Sequence, residues 1–349
     1  MIDYFSIVMF FAILITIYSV MTMSLNLEAG TTGLPNFGQV GFVALGAFVS
    51  GTLAVRLGMF LIGASGDLFA PQVTSALTTL AETNPYFDVL AFLLGLVMAG
   101  LVGAASGFVA SYPAVRLRED YLGITLLAIA EVIRLIQNDS PFFAGGAYGL
   151  PFIPSPMSWL RSLYGAQVYY SAFFLLVVLI ASACYFYCNR LLNSPHGRVL
   201  RAIRDNEIVA NSFGKDVVRA KIEVMMVGSA LAAVGGALQV YFDQSLANLT
   251  YLPITTFIIY LMMLLGGKGN FKGSIAGAFV YEALDVGTSF LAPFMPGNII
   301  AGSLIAHLKF LATGIVLLLL VVYKPTGLLR EKPVRTIAWE VLEAEQRRS

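Results

Sequence analysis

Nine stretches of the chain, near 4–25, 37–55, 87–110, 121–138, 168–188, 221–242, 252–266, 273–292 and 301–323, run long and nearly free of charge. About 20 apolar residues in a helix match the hydrocarbon thickness of a bilayer. Backbone in hydrocarbon must satisfy its own hydrogen bonds, and a helix does so within one segment. The chain is therefore expected to be all-α, a polytopic transmembrane helical bundle of about nine spans, eight to ten by length. Composition agrees: of 349 residues 58% are hydrophobic and 12% charged, about half the charge of an ordinary soluble domain. The first run has no basic region before it and no small-residue cleavage site after it, so it is expected to stay in the protein. Residues 1–330 read as one transmembrane domain and 331–349 as a cytoplasmic tail.

Orientation follows from Lys and Arg, which accumulate on the cytoplasmic side. With nine spans, one side collects Arg116, Arg118, seven residues between 189 and 221, Lys268, Lys272 and six residues near the C-terminus. The other side holds only Arg56 and Arg161. This puts the N-terminus outside and the C-terminus inside, in a multi-pass protein of the cytoplasmic membrane surrounded by lipid. A net charge of +1 offers nothing to nucleic acid. Outside, 56–86 and 139–167 are long enough to bind a partner. Cys184 and Cys188, four apart on one apolar helix, are too few for a metal and poorly placed for a bridge.

From Leu25 to Gly41 the sequence is too polar and glycine-rich for a lipid-facing helix. At membrane depth such backbone lines protein or water, and an interrupted helix presents free amides and carbonyls to a solute. Gly30, Gly33, Asn36, Gly38 and Gln39 are thus candidates for a translocation path, with a cytoplasmic turn as the plain alternative. Charges inside spans each cost about 2.5–3.5 kcal/mol at mid-span. Glu131 and Arg134, three apart, are placed to pair along one helix, and Glu131 is a further candidate for the path. Asp285 and Lys309 fall at matching depth on neighbouring antiparallel spans and are expected to form an ion pair, with Glu282 one turn deeper. Small residues at four-residue spacing are expected to let helices approach closely: Ala99, Gly103 and Gly107; Gly228, Ala232 and Gly236; Gly273 and Gly277.

The segment 194–215 is a cytoplasmic insertion too polar to span, with a helical period through Val199, Ile203 and Asn206 or Glu207, and Gly214 suited to end it. Within it, Gly197-Arg198-Val199-Leu200-Arg201-Ala202-Ile203-Arg204, then Glu207 and Gly214, resembles the coupling segment of branched-chain amino-acid ABC transporter permeases, the LivM-type subunit in particular. Further matches are Tyr121-Leu122-Gly123-Ile124-Thr125-Leu126 with Ala130-Glu131-Val132-Ile133-Arg134, Gly266-Gly267-Lys268-Gly269, and Lys324-Pro325-Thr326-Gly327-Leu328-Leu329. The resemblance covers roughly residues 20 to 330. It implies a permease that moves branched-chain or other small hydrophobic amino acids by ATP-driven alternating access. It also implies a homologous second permease, two cytosolic ATPases carrying ATP-Mg, and an extracytoplasmic binding protein. Gly197, Arg198, Arg201, Ala202, Arg204, Glu207 and Gly214 would then couple this chain to an ATPase. Urea and short-amide permeases share these motifs and stand as an alternative substrate class.

No P-loop is present, because Gly267-Lys268 is followed by Gly269 where Ser or Thr is needed. The chain is expected to hold no cofactor, metal or catalytic group of its own. Gly63-Ala64-Ser65-Gly66 with His307 is the one foothold for an intramembrane serine protease, and it lies in an outer loop beside Asp67. A channel would need a ring-forming filter sequence, and none is evident.

Overall fold

The computed structural model describes residues 4–64, 71–117, 119–140, 146, 149–291, 311, 314–315, 318–319, 322–324 and 326–331. Ser65 and His307 lie outside these residues. So do Lys309, and with it the expected pair with Asp285, and most of the expected ninth span.

Helix α1 (Tyr4–Leu25) runs directly into a six-residue π turn (Asn26–Thr31), and after an irregular passage the chain enters α2 (Gln39–Ile62). Then come α3 (Pro71–Thr83), α4 (Pro85–Arg116), α5 (Glu119–Asp139), α6 (Ser158–Tyr164) and α7 (Ala166–Leu192). Two polar helices, α8 (Pro195–Asp205) and α9 (Glu207–Ser212), precede α10 (Val217–Asp243), α11 (Pro253–Gly266) and α12 (Phe271–Leu291). Among the described residues there is no strand, only an isolated bridge between Leu150 and Leu246. Helix starts carry their usual signals. Asn84 and Ser194 cap helices that open on Pro85 and Pro195, and the Asp216 side chain accepts from Arg219 N at 3.0 Å.

A helix coincides with each of the first eight expected spans. Five elements are long and apolar enough to cross a membrane: Phe5–Thr31, Gln39–Ile62, Pro85–Arg116, Ala166–Leu192 and Val217–Asp243. Helix α5 is not among them; its 21 residues include Glu119, Asp120, Glu131, Arg134 and Asp139. Helices α11 and α12 qualify together, bent by 116° at the short break between them, which gives up to six spans. At about 1.5 Å per residue the 14 residues of α11 reach only some 21 Å, short of a bilayer core.

Helices α2 and α10 form the centre. In each, 72% of the apolar window is buried, against 28% in α4 and 22% in α7. The small residues sit where helices meet. A Cβ on Gly46 of α2 would strike the Ala233 backbone of α10, and one on Gly236 of α10 would strike the Val43 backbone of α2. Gly103 and Gly107 of α4 face Ala230, Met225 and Ser229 of α10 in the same way. Gly277 lets α12 lie on the Met262 carbonyl of α11. Tyr241 crosses the centre, its hydroxyl donating to the Ala91 carbonyl at 3.0 Å.

Backbone cannot shift aside as a flexible side chain can, and overpacking a core costs typically about 1–3 kcal/mol. Gly46→Val and Gly236→Val are therefore expected to lower the melting temperature of the detergent-solubilised protein by several degrees. Gly287→Val, where a Cβ meets nothing within 4 Å, is the control and should leave it unchanged. Identical melting of all three variants would show that the α2–α10 contact is not tight.

Candidate functional site: an interrupted helix and its polar clamp

The π turn is closed by side-chain hydroxyls that reach back five residues. Thr31 Oγ1 donates to the Asn26 carbonyl at 3.1 Å and Thr32 Oγ1 to that of Leu27 at 3.2 Å, both five residues back. Gly30 allows the closure, since a Cβ there would meet Asn26 Oδ1 and Gly269 N. Gly33 then takes φ +78°, a left-handed conformation open to glycine, and Pro35 cannot rejoin a helix. The interruption expected between Gly30 and Gly41 is thus present, but every residue in it is wholly or mostly shielded by the protein.

Asn26 is fully buried and clamps the break between α11 and α12. Its Nδ2 donates to Ser274 Oγ at 2.8 Å and to the carbonyls of Asn270 and Gly267 at 3.1 and 3.3 Å, while Oδ1 accepts from Gly269 N at 2.8 Å. From the other side the chain near the C-terminus straps the same break. Leu328 N and Leu329 N donate to the Leu265 and Gly266 carbonyls, each at 2.9 Å. Gly327, at φ +77°, sits against Gly267 where a side chain would collide.

Just beyond lies a buried polar chain. Asn36 Nδ2 donates to Glu28 Oε2 at 2.7 Å and to Gln39 Oε1 at 3.0 Å. Gln39 Nε2 donates to Ser24 Oγ at 2.7 Å, and Ser24 Oγ donates to the Gly228 carbonyl of α10 at 2.7 Å. Gly38 N closes on Asn36 Oδ1 at 3.1 Å, and Val40 N donates to Thr256 Oγ1 of α11 at 3.0 Å. The other carboxylate oxygen of Glu28 is buried with no hydrogen-bond partner and lies against Gly228, where a Cβ would overlap it. No cation faces Glu28 among the described residues.

The polar segment expected to form a single helix forms two. Asn206 breaks it, its side chain accepting from Val209 N at 3.0 Å to cap α9. Asn is among the strongest N-caps, and this preference overrides the period that continues through it. Gly214, at φ +72°, ends α9 as expected. Gly197 seats α8 on the Leu191 and Leu192 carbonyls of α7, and Leu200 and Ile203 are buried beside it.

Arg201 and Arg204 turn inward. Glu331 meets Arg201 Nε at 2.9 Å and accepts from Arg204 Nη1 at 2.9 Å. The same Nη1 donates to the Gly30 carbonyl in the π turn at 2.8 Å. Glu207 also faces the body of the protein, accepting from Lys221 Nζ of α10 at 2.7 Å. What points away is Arg198 and Ala202 on α8, with Ile208 and Phe213, 79% and 78% exposed, on and just after α9.

Glu131 and Arg134 meet in a two-pronged contact, Arg134 Nε donating to Glu131 Oε2 at 2.9 Å. They lie on α5, away from the buried polar chain. Asp285 is half-buried on α12 and Glu282 is buried. Of the path candidates, Gly30, Asn36, Gly38 and Gln39 gather around the π turn, Gly33 touches Arg204, and Glu131 stands apart. Asn26, Glu28 and Glu331 belong to the site and were not singled out by sequence. A lone carboxylate directly after an apolar run was the available signal for Glu28.

An interrupted apolar helix, clamped at its break and tied to a polar helix pair, sits in an α-helical protein with five or six elements able to cross a membrane. The family described as "Branched-chain amino acid transport system / permease component" matches residues 7–322, and the chain belongs to it. It is 36% identical over 332 residues, 92% of each chain, to the probable branched-chain amino acid transport permease protein LivM of Methanocaldococcus jannaschii. It is 27% identical over 332 residues to the high-affinity branched-chain amino acid transport system permease protein LivM of Salmonella typhimurium, covering 90% of this chain and 68% of that one. The probable LivH permease protein of M. jannaschii is 23% identical over 321 residues, 88% of this chain and 87% of its own. No solved structure matches.

Each buried polar group left without its partner costs about 1–3 kcal/mol. Asn26→Leu strands several at the α11–α12 break, so it is expected to lower the melting temperature more than Asn138→Leu, an amide at a part-exposed position. A cysteine at Ser274, itself a partner of Asn26, should also become reactive to a water-soluble maleimide in that background. Continued protection, with an unchanged melting temperature, would show that Asn26 does not hold the break.

Proposed function

We propose that this chain is a permease subunit of an ABC importer in the cytoplasmic membrane, moving branched-chain amino acids by ATP-driven alternating access. Its partners on this reading are a homologous second permease, two cytosolic ATPases carrying ATP-Mg, and an extracytoplasmic binding protein. The LivM relatives support the substrate class, and the resemblance to a LivH-named chain as well supports a pair of related permeases. The N-terminus is outside and the C-terminus inside, with about nine spans in the full chain.

The observation that carries the reading is the hydrogen bond from Arg204 to the Gly30 carbonyl. A guanidinium hydrogen bond is worth about 1.5–3 kcal/mol, and this one joins the polar helix pair directly to the interruption in α1. On this proposal the ATPase grips the outward residues Arg198, Ala202, Ile208 and Phe213. Arg201, Arg204 and Glu207 do not touch it; they transmit its motion into the bundle. When α8 moves, the π turn must follow or release its carbonyl, and the polar chain around Glu28, Asn36 and Gln39 shifts with it.

The complex in proteoliposomes, given a panel of leucine, isoleucine, valine, alanine and urea, tests the substrate class; competition by urea alone would move the protein to the amide permeases. Arg204→Ala is expected to lower leucine uptake at least tenfold while ATP hydrolysis continues, and Glu331→Gln to lower it less, because Gly30 keeps its donor. Wild-type coupling in Arg204→Ala would overturn the proposed linkage.

A further inference from the structure

The buried polar chain at the interruption leaves one strong acceptor unused. Glu28 is fully buried; Asn36 Nδ2 donates to its Oε2 at 2.7 Å, while Oε1 has no hydrogen-bond partner. A buried charge is costly unless it is paired, and a bare acceptor calls for a donor. A proton does not answer it. Placed on Oε2 it would meet the Asn36 N–H. Placed on Oε1 it would need an acceptor, yet Oε1 lies against Gly228, whose carbonyl already accepts from Ser24 Oγ at 2.7 Å. Nor is a metal provided for: among the described residues no group of three His, Cys, Asp or Glu side chains is placed to hold one.

An aromatic plug separates this acceptor from the surface. Phe37 follows Asn36 directly and is half-buried, whereas Asn36 and Glu28 behind it are fully buried. Its ring stands 5.3 Å from that of Tyr260 and 6.0 Å from that of Phe257, both on α11. On the other side it presses on Gly123 of α5, where a Cβ would meet a ring carbon at 2.6 Å. Phe37 lies in the irregular passage before α2, so it can turn outward without unwinding a helix. The Tyr260 hydroxyl is buried with no acceptor for its proton, near enough to Glu28 for the two to interact electrostatically.

We infer that Glu28 Oε1 receives the α-ammonium of the transported amino acid, in a site gated by Phe37. An ammonium brings both the charge and the N–H donors that Oε1 lacks. The Tyr260 hydroxyl donates to the carboxylate, and the aliphatic side chain lies on the Phe37 and Phe257 rings. The inference rests on the proposed function and adds to it the group on this chain that holds the amino acid. It also gives the tether a target. The Gly30 carbonyl held by Arg204 is two residues from Glu28 in the same π turn, so a movement of the helix pair reaches the carboxylate and, through Asn36, its gate.

The test is binding of radiolabelled leucine to the permease–ATPase complex in each nucleotide state, with no binding protein added. Two competitors each lack one end of leucine: 3-methylbutylamine keeps the ammonium without the carboxylate, and 4-methylpentanoate keeps the carboxylate without the ammonium. The amine is expected to compete at least about tenfold better than the acid, the scale of one charged hydrogen bond. Glu28→Gln is expected to weaken binding of leucine and of the amine at least about tenfold, whereas Tyr260→Phe weakens leucine and leaves the amine unchanged. Phe37→Ala is expected to speed release of bound leucine at least about tenfold. Melting temperatures identify the folded variants, and two variants that each remove a different group keep one misfolded protein from deciding the outcome. Competition by the acid equal to that by the amine, wild-type leucine affinity in folded Glu28→Gln or Tyr260→Phe, or unchanged release in folded Phe37→Ala would overturn the gated site. So would the absence of saturable binding in a complex that imports leucine. A wild-type complex that imports no amino acid overturns the proposed function, and the site with it.

Discussion

The close approach of α10 to α2 and α4 is the contact on which the rest of the structure depends. In lipid, apolar side chains gain little by leaving their solvent for one another, so helices associate through shape and dispersion. Gly46, Gly103, Gly107 and Gly236 bring backbone against backbone or against a neighbouring Cβ. With α10 so placed, Gly228 on the same helix faces the π turn, and the missing side chain is the space that the Glu28 carboxylate fills. The Ser24 hydroxyl reaches the Gly228 carbonyl for the same reason. Small residues thus set both the bundle centre and the fit of its buried polar chain.

The polar helix pair has two faces. Gly197, Leu200 and Ile203 root α8 on the end of α7, while Arg201 and Arg204 share Glu331. These ion pairs are partly shielded, with side-chain exposures of 14% and 26% for the arginines and 22% for Glu331, so they are screened less than a surface pair. The tether reaches the π turn, whose six residues lack α-helical bonding.

Much of this was legible in the sequence. Apolar runs located eight helices, the four-residue spacing of small residues marked the α4–α10 and α2–α10 seams, and three-residue spacing brought Glu131 to Arg134. What stayed hidden depended on distant partners. Arg204 and Glu331 are 127 residues apart, so nothing local shows that a basic residue in a polar segment points inward. Hydropathy alone does not separate two crossing helices from a pair bent at 116°, because both read as two apolar runs with a glycine-rich break. Asn206 could have been read correctly, since an Asn within a polar helix competes for the next turn's amides.

The clamp at Asn26 bears on how the protein is made. Its side-chain partners, Gly267, Gly269, Asn270 and Ser274, lie 241 to 248 residues downstream. At about 5–20 residues per second of synthesis, the first helix waits roughly 12–50 s after insertion before they emerge. Until then an amide that both donates and accepts stands without its final partners. The first helix of the chain is thus among the last to gain all its hydrogen bonds.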